Sequence, residues 1–292
     1  MVWRYKKKPS FRAEERFGLQ PRVAAMKLAQ LRRIAWQAEW QSAAFRADPL
    51  NWEQIYFSRR LSCYITFVLA RTAVTPNQVT FLWVFLVLLG GVGLAISSPL
   101  LMVISPWLFW LAGILDHVDG ELARVKNCFS AWGDFLDLFG HQLLPVLIFA
   151  GLTCRLMLDG GSPLYLIGGI LATALASQAD GLRKNVSLLF YIRRNGEAKS
   201  TPATSEPTTI RPTLKQFLAI PHSETGMVYL LILAAFFEME SEYVLFYGLT
   251  LPVVLVIKWR ARSNEFQALL ANPEKIAERM RPEWLNKDIS PP

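Results

Sequence analysis

Cysteine is scarce in this chain: Cys63, Cys128 and Cys154 are its only three among 292 residues, far apart and with no CxxC pair. That argues against a disulfide framework and a thiolate zinc site, leaving buried small apolar residues as the plainer reading. Amphipathic striping is also lacking through the middle of the chain. The apolar residues come in long runs, so the length does not read as one or two soluble domains. Residues 1–20 are basic and contain no apolar h-region, so no cleavable signal peptide is expected. Nor do the basic residues gather on one folded face. They flank apolar runs, which argues against a nucleic-acid partner despite a formal charge of +8.

What is present is hydrophobicity, at 52% of the residues. The fold class expected is all-α and integral to the membrane: a six-transmembrane helical bundle with N-terminal interfacial amphipathic helices. Thr75-Pro76-Asn77 starts the first span, about 77–98, since proline suits a helix start where its missing N–H has no partner. The second span runs from about Leu100 to Leu115 and the third from about Gly133 to Leu158. The fourth occupies about 163–180, and the last two, near 226–238 and 243–257, form a hairpin of short spans with a kink expected at Pro252. Lys and Arg number 14 before Asn77 and 7 from Lys258 onward, whereas the three loops on the opposite side hold only Arg155. The positive-inside rule then makes both termini cytoplasmic in a multi-pass protein, of the inner membrane in a bacterium.

Three regions follow. Residues 1–54 form a basic cytoplasmic or interfacial region, 55–260 a membrane domain, and 261–292 a cytoplasmic tail. A helical pattern from Pro21 to about Phe45 fits a basic amphipathic helix on the membrane surface, or a helix docked on the protein's own cytoplasmic side. A second interfacial segment is expected from Trp52 to Thr72, and residues 195–213 read as a flexible loop rich in Ser, Thr and Pro.

Chemistry concentrates between Asp116 and His141, in DHVDGELARVKNCFSAWGDFLDLFGH. An ionisable side chain at mid-membrane costs about 2.5–3.5 kcal/mol on insertion scales, so a cluster of them marks a functional site. Asp116 and Asp119 share one helix face, and Asp137 and His141 share a face of the next span. Carboxylates at this density suit hard divalent cations. Gly120 and Ala123 leave room for a phosphorylated ligand, and Arg124 offers a bidentate partner for it. Asp134 reads as a solvated helix-start aspartate and His117 as packing; Gly90, Gly91, Gly93, Gly168 and Gly169 permit close packing, within the chain or at a dimer seam.

The pattern D-x2-D-G-x2-A-R-x8-G-x3-D-x3-D is that of the CDP-alcohol phosphotransferases. This chain resembles it at Asp116, Asp119, Gly120, Ala123, Arg124, Gly133 and Asp137, seven of eight fixed positions with the spacing intact. The segment RRLSCYITFVLARTAVTPNQVT also looks like the lead into that family's first span, so the resemblance covers roughly 55–260. It implies six spans with a cytoplasmic site, and Mg2+ or Mn2+ on Asp116, Asp119 and Asp137. It further implies a CDP and phosphate pocket of Gly120, Ala123, Arg124 and Gly133, with Asn77 and Thr80 as weaker members. The partners implied are a CDP-alcohol donor, a lipid or small polar alcohol acceptor, membrane lipids and a second copy of the chain. Arg183 and Lys184 are candidates for an acceptor or lipid phosphate, or for positive-inside anchoring.

The eighth position is His141 rather than aspartate. Neutral imidazole, of ordinary pKa about 6.5, is a stronger base than a carboxylate near about 3.9, so the general-base role assigned to that position can survive. An altered metal ligand and lost transferase chemistry are the other two readings. The function expected is metal-dependent transfer of a phospho-alcohol from a CDP-alcohol to a hydroxyl with release of CMP, in phospholipid or polar-lipid synthesis. The alternatives are a protein that binds a CDP-alcohol without turnover and a CDP-alcohol hydrolase. A transporter fits poorly, because the charges cluster at one membrane face.

Overall fold

The computed structural model describes residues 26–36, 46, 48–176 and 214–271. Every regular element among them is helical, with no strand. In chain order they are α1 (Leu28–Ala35), a 3₁₀ turn at Pro49–Asn51, a π-helical turn at Gln54–Ser58 and α2 (Arg59–Leu69). Then come α3 (Pro76–Ala95), α4 (Pro99–Lys126), α5 (Ala131–Leu158) and α6 (Pro163–Ala176). A short α7 (Leu214–Ala219), α8 (Glu224–Phe236) and α9 (Glu240–Ala271) complete the described chain. Within four of these helices, α3, α4, α5 and α9, lie segments long and apolar enough to cross a membrane; α6 and α8 are apolar but shorter.

Local chemistry sets the helix ends. The Thr75 hydroxyl accepts from the Gln78 N–H at 3.3 Å while the Gln78 side chain accepts from the Thr75 N–H at 2.9 Å, and Pro76 takes the first helical position. Two backbone donors that a helix start leaves orphaned are thereby satisfied. Helix α4 runs unbroken through the acidic motif, well past Leu115, until Asn127 adopts a left-handed conformation at φ 53°. Asparagine tolerates that geometry, and the Cys128 N–H then closes on the Ala123 carbonyl at 3.0 Å. Three residues later Ser130 caps α5 by accepting from the Gly133 N–H at 2.9 Å. Polar residues carry α9 on from the apolar run to Ala271, so this helix is much longer than its span.

The core lies where α3, α4 and α5 meet, and Trp83, Phe109, Ile148 and Phe149 are fully buried in it. Small residues let these helices close up. A Cβ on Gly91 would lie 2.7 Å from the Leu147 Cβ on α5, and one on Gly93 would fall 2.3 Å from the Ser105 Oγ on α4. Those glycines therefore serve packing within the chain. On the outer side of α3, Phe81, Leu82, Phe85 and Val92 are exposed, as a lipid-facing helix allows. Helix α1 docks on α4 with Leu31 and Ala35 fully buried, so the docked form of the N-terminal helix is the one observed for Leu28–Ala35. Residues 1–25, 37–45, 47, 177–213 and 272–292 lie outside the described residues.

Candidate active site and metal centre

Helix α4 supplies one wall of the site and α5 the facing wall. All ten sequence candidates within the described residues line a single polar cavity of about 290 Å³: Asn77, Thr80, Asp116, Asp119, Gly120, Ala123, Arg124, Gly133, Asp137 and His141. Arg183 and Lys184 lie outside the described residues.

Asp116, Asp137 and His141 each offer a ligand atom, and the three atoms lie within 4.8 Å of one another. The His141 Nε2 stands 3.3 Å from Asp116 Oδ1 and 3.4 Å from Asp137 Oδ1. Two carboxylates and an imidazole converging this closely suit a divalent ion, which would also offset the repulsion of the two anions.

Asp119 is more deeply set, at 8% exposure, and its Oδ2 is held by neighbours on α3. The Thr80 hydroxyl donates to it at 2.7 Å and the Trp83 indole N–H at 3.0 Å. Thr80 thus acts on the site through Asp119. Trp83 was not legible as a site residue, nor was Gly140, which makes room for it: a Cβ there would fall 1.9 Å from the indole ring. Gly133 is equally constrained, because a Cβ would lie 2.7 Å from Asn77 Oδ1. That oxygen accepts from the Ser130 hydroxyl at 2.9 Å, tying the start of α3 to the start of α5 across the cavity mouth.

Arg124 does two things. Its Nε donates to the Ala35 carbonyl at 2.7 Å, satisfying a C-terminal carbonyl of α1, while the side chain lines the polar cavity. His117 is more than packing, since its Nδ1 lies 3.7 Å from Asp116 Oδ2 and its ring lines the same cavity. Asp134 is exposed in the first turn of α5, as a solvated helix-start aspartate should be.

Two acidic residues escaped the sequence reading. Glu121, fully buried on α4, accepts from the Ser62 and Thr66 hydroxyls of α2, both at 2.8 Å. Ser62 and Thr66 are four apart on one helix face, the only sequence signal that α2 was built to receive it. Arg59 of α2 also lines the polar cavity; burial lowers its pKa to about 10 and the Glu121 carboxylate opposes that shift, so it keeps its charge at neutral pH. The second is Glu224, at the start of α8, whose Oε2 lies 2.7 Å from His141 Nδ1.

A family model described as CDP-alcohol phosphatidyltransferase matches residues 73–257. The chain belongs to that family. Residues 76–141 of its polar cavity fall inside that match, and its four long apolar helices make it an integral membrane member. It is 25% identical over 137 residues to a phosphatidylinositol phosphate synthase of Corynebacterium glutamicum, covering 45% of this chain and 55% of that protein. Over 82 residues it is 34% identical to a bifunctional IPC transferase and DIPP synthase of Thermococcus kodakarensis, covering 28% of this chain and 18% of that one. The matches thus span about half the length of the first relative, 55%, and 18% of the second.

Proposed function

We propose that this CDP-alcohol phosphatidyltransferase family member transfers a phospho-alcohol from a CDP-alcohol to an acceptor hydroxyl and releases CMP. The observation that carries the reading is the convergence of ten candidate residues on one cavity, eight of them motif positions, with ligand atoms of Asp116, Asp137 and His141 within 4.8 Å of one another. The relatives' names favour a place in phospholipid or polar-lipid synthesis.

Asp116, Asp137 and the remaining oxygen of Asp119 would hold the divalent ion. When bound, Mg2+ or Mn2+ supplies charge that polarises the donor's pyrophosphate and stabilises the charge developing on it. Arg124 and Arg59 hold the phosphates electrostatically, with Gly120 and Gly133 in the wall of the same cavity. The acceptor hydroxyl attacks the phosphorus that bears the transferred alcohol, and its proton passes to His141 Nε2. The bond from that phosphorus to the bridging oxygen breaks, and CMP leaves with that oxygen. Six spans, with α6 and α8 completed by tilt or polar ends, put both termini and the site on the cytoplasmic side. The membrane domain then covers 55–260.

Purified protein supplied with Mn2+ and a panel of CDP-alcohols, with and without candidate acceptors, tests the reading through CMP release. Release that depends on an acceptor supports transfer. Release with water alone makes the protein a hydrolase, and tight donor binding with no release makes it a binder.

A further inference from the structure

Helix α1 lies outside residues 73–257, the stretch that the family model matches, yet it touches a motif residue. Its last residue, Ala35, presents the main-chain carbonyl that accepts from Arg124 Nε at 2.7 Å, joining residues 89 apart in sequence. A guanidinium is a rigid planar fork, so holding Nε also sets where Nη1 and Nη2 lie. Those two nitrogens run alongside Gly120, where a Cβ would stand 3.4 Å from Nη1 and 3.6 Å from Nη2. Gly120 and Arg124 both line the polar cavity, so the fork is fixed at its wall.

The rest of α1 keeps that carbonyl in place. Leu31 and Ala35 are fully buried, and both ends of the helix are tied to the α2 segment. The Trp36 indole N–H donates to Cys63 Sγ at 2.9 Å, and Arg71 Nη2 donates to the Met26 carbonyl at 2.6 Å. Helix α4 has anchors of its own. Glu121 joins it to Ser62 and Thr66, and Lys126 Nζ donates to the Thr72 and Val74 carbonyls, both at 2.7 Å. Undocking α1 would therefore release the Arg124 side chain while the backbone that carries it stays in place.

We propose that Ala35 is the positioning residue for Arg124, and α1 the strap that carries it: the helix sets the guanidinium to receive the pyrophosphate of a CDP-alcohol. This rests on the transferase reading above and adds to the donor site an element that the family match does not contain.

The test titrates the full chain in detergent, loaded with Mn2+, with CDP in a calorimeter. L31D puts a carboxylate at a fully buried position of α1 and should undock the helix. It is expected to weaken CDP binding about 10-fold, within the coupling usual for residues in contact. In an R124A background the same change should weaken it no further, because α1 acts through Arg124. L31D should also keep the parent's Mn2+ affinity, and in turnover should raise the donor KM with the acceptor KM unchanged. Unchanged CDP affinity in L31D, or equal weakening in both backgrounds, overturns the proposal. So does a fall in Mn2+ affinity, which would mean that the whole site had shifted, and so does a parent that binds no CDP. If L31D does not fold, W36F, which removes the bond to Cys63 and keeps Leu31, takes its place in the same cycle. A parent that binds CDP through α1 but releases no CMP from any CDP-alcohol defeats the transferase reading and leaves the strap standing.

Discussion

At the scale of single residues, His141 is the position on which the proposed mechanism turns. Replacing it with alanine removes the proposed base, and CMP release is expected to fall by about 10²–10⁴-fold, the usual contribution of a general base. H141D restores the eighth motif position and is expected to retain most of the rate. If both variants transfer as fast as the parent, the base role is lost. Mn2+ paramagnetic resonance separates the roles by another route. A directly bound imidazole would give a 14N coupling that vanishes in H141D, and seeing one would make His141 a ligand rather than a base. Chelation should abolish turnover and added Mn2+ should restore it.

Glu121 belongs to the same scale but serves stability. Its carboxylate accepts from Ser62 and Thr66 in a fully buried position, so E121A takes the acceptor from the Thr66 hydroxyl and leaves Ser62 with only the Arg59 carbonyl at 3.2 Å. Each such loss costs about 1–3 kcal/mol. A thermal melt of E121A in detergent should show a clear drop, and a Tm equal to the parent's would mean that water replaces the carboxylate. The motif and the resemblance it carries made eight site residues legible, with Asn77 and Thr80 added by the resemblance, because i, i+3 and i, i+4 positions fall on one face. Glu121 fell on an unspecified position of that motif, and Glu224 lies 83 residues from its partner, so only tertiary packing reveals it.

Elements are the next scale. The start of α3 was readable because Pro76 suits a first helical position, whereas α5 begins at Ala131, capped by Ser130, two residues before the expected Gly133. The end of α4 was not, since it depends on Asn127 turning left-handed after an unbroken 28-residue helix. The small-residue stripes were readable as close packing, but which helices they join was not. Gly91 now gives a direct test: valine there would collide with Leu147 on α5. Overpacking of this kind costs about 1–3 kcal/mol, so G91V should melt earlier without losing metal affinity. Lost Mn2+ binding at full stability would show that α3 and α5 transmit strain to the site instead.

For the whole molecule, topology is the matter to test. With Cys63, Cys128 and Cys154 changed to serine, a single cysteine placed at Asn127 should resist an impermeant maleimide added outside intact cells. One placed at Gly160 should react with it. The opposite pattern would invert the protein and put the cavity on the wrong side for a cytoplasmic nucleotide.

Helix α4 is also a ruler. Its 28 residues span about 42 Å, against a hydrocarbon thickness of about 30 Å. Asp116 stands about 26 Å along from Pro99, and Asp119 one turn beyond. The aspartates' distance from the far end of the helix is set by an unbroken backbone, whereas bilayer thickness varies with acyl chain length. Reconstitution across a series from short to long acyl chains should therefore show a falling rate as the lipid border climbs toward the carboxylates. Lipid thickness would then tune the enzyme with no ligand involved.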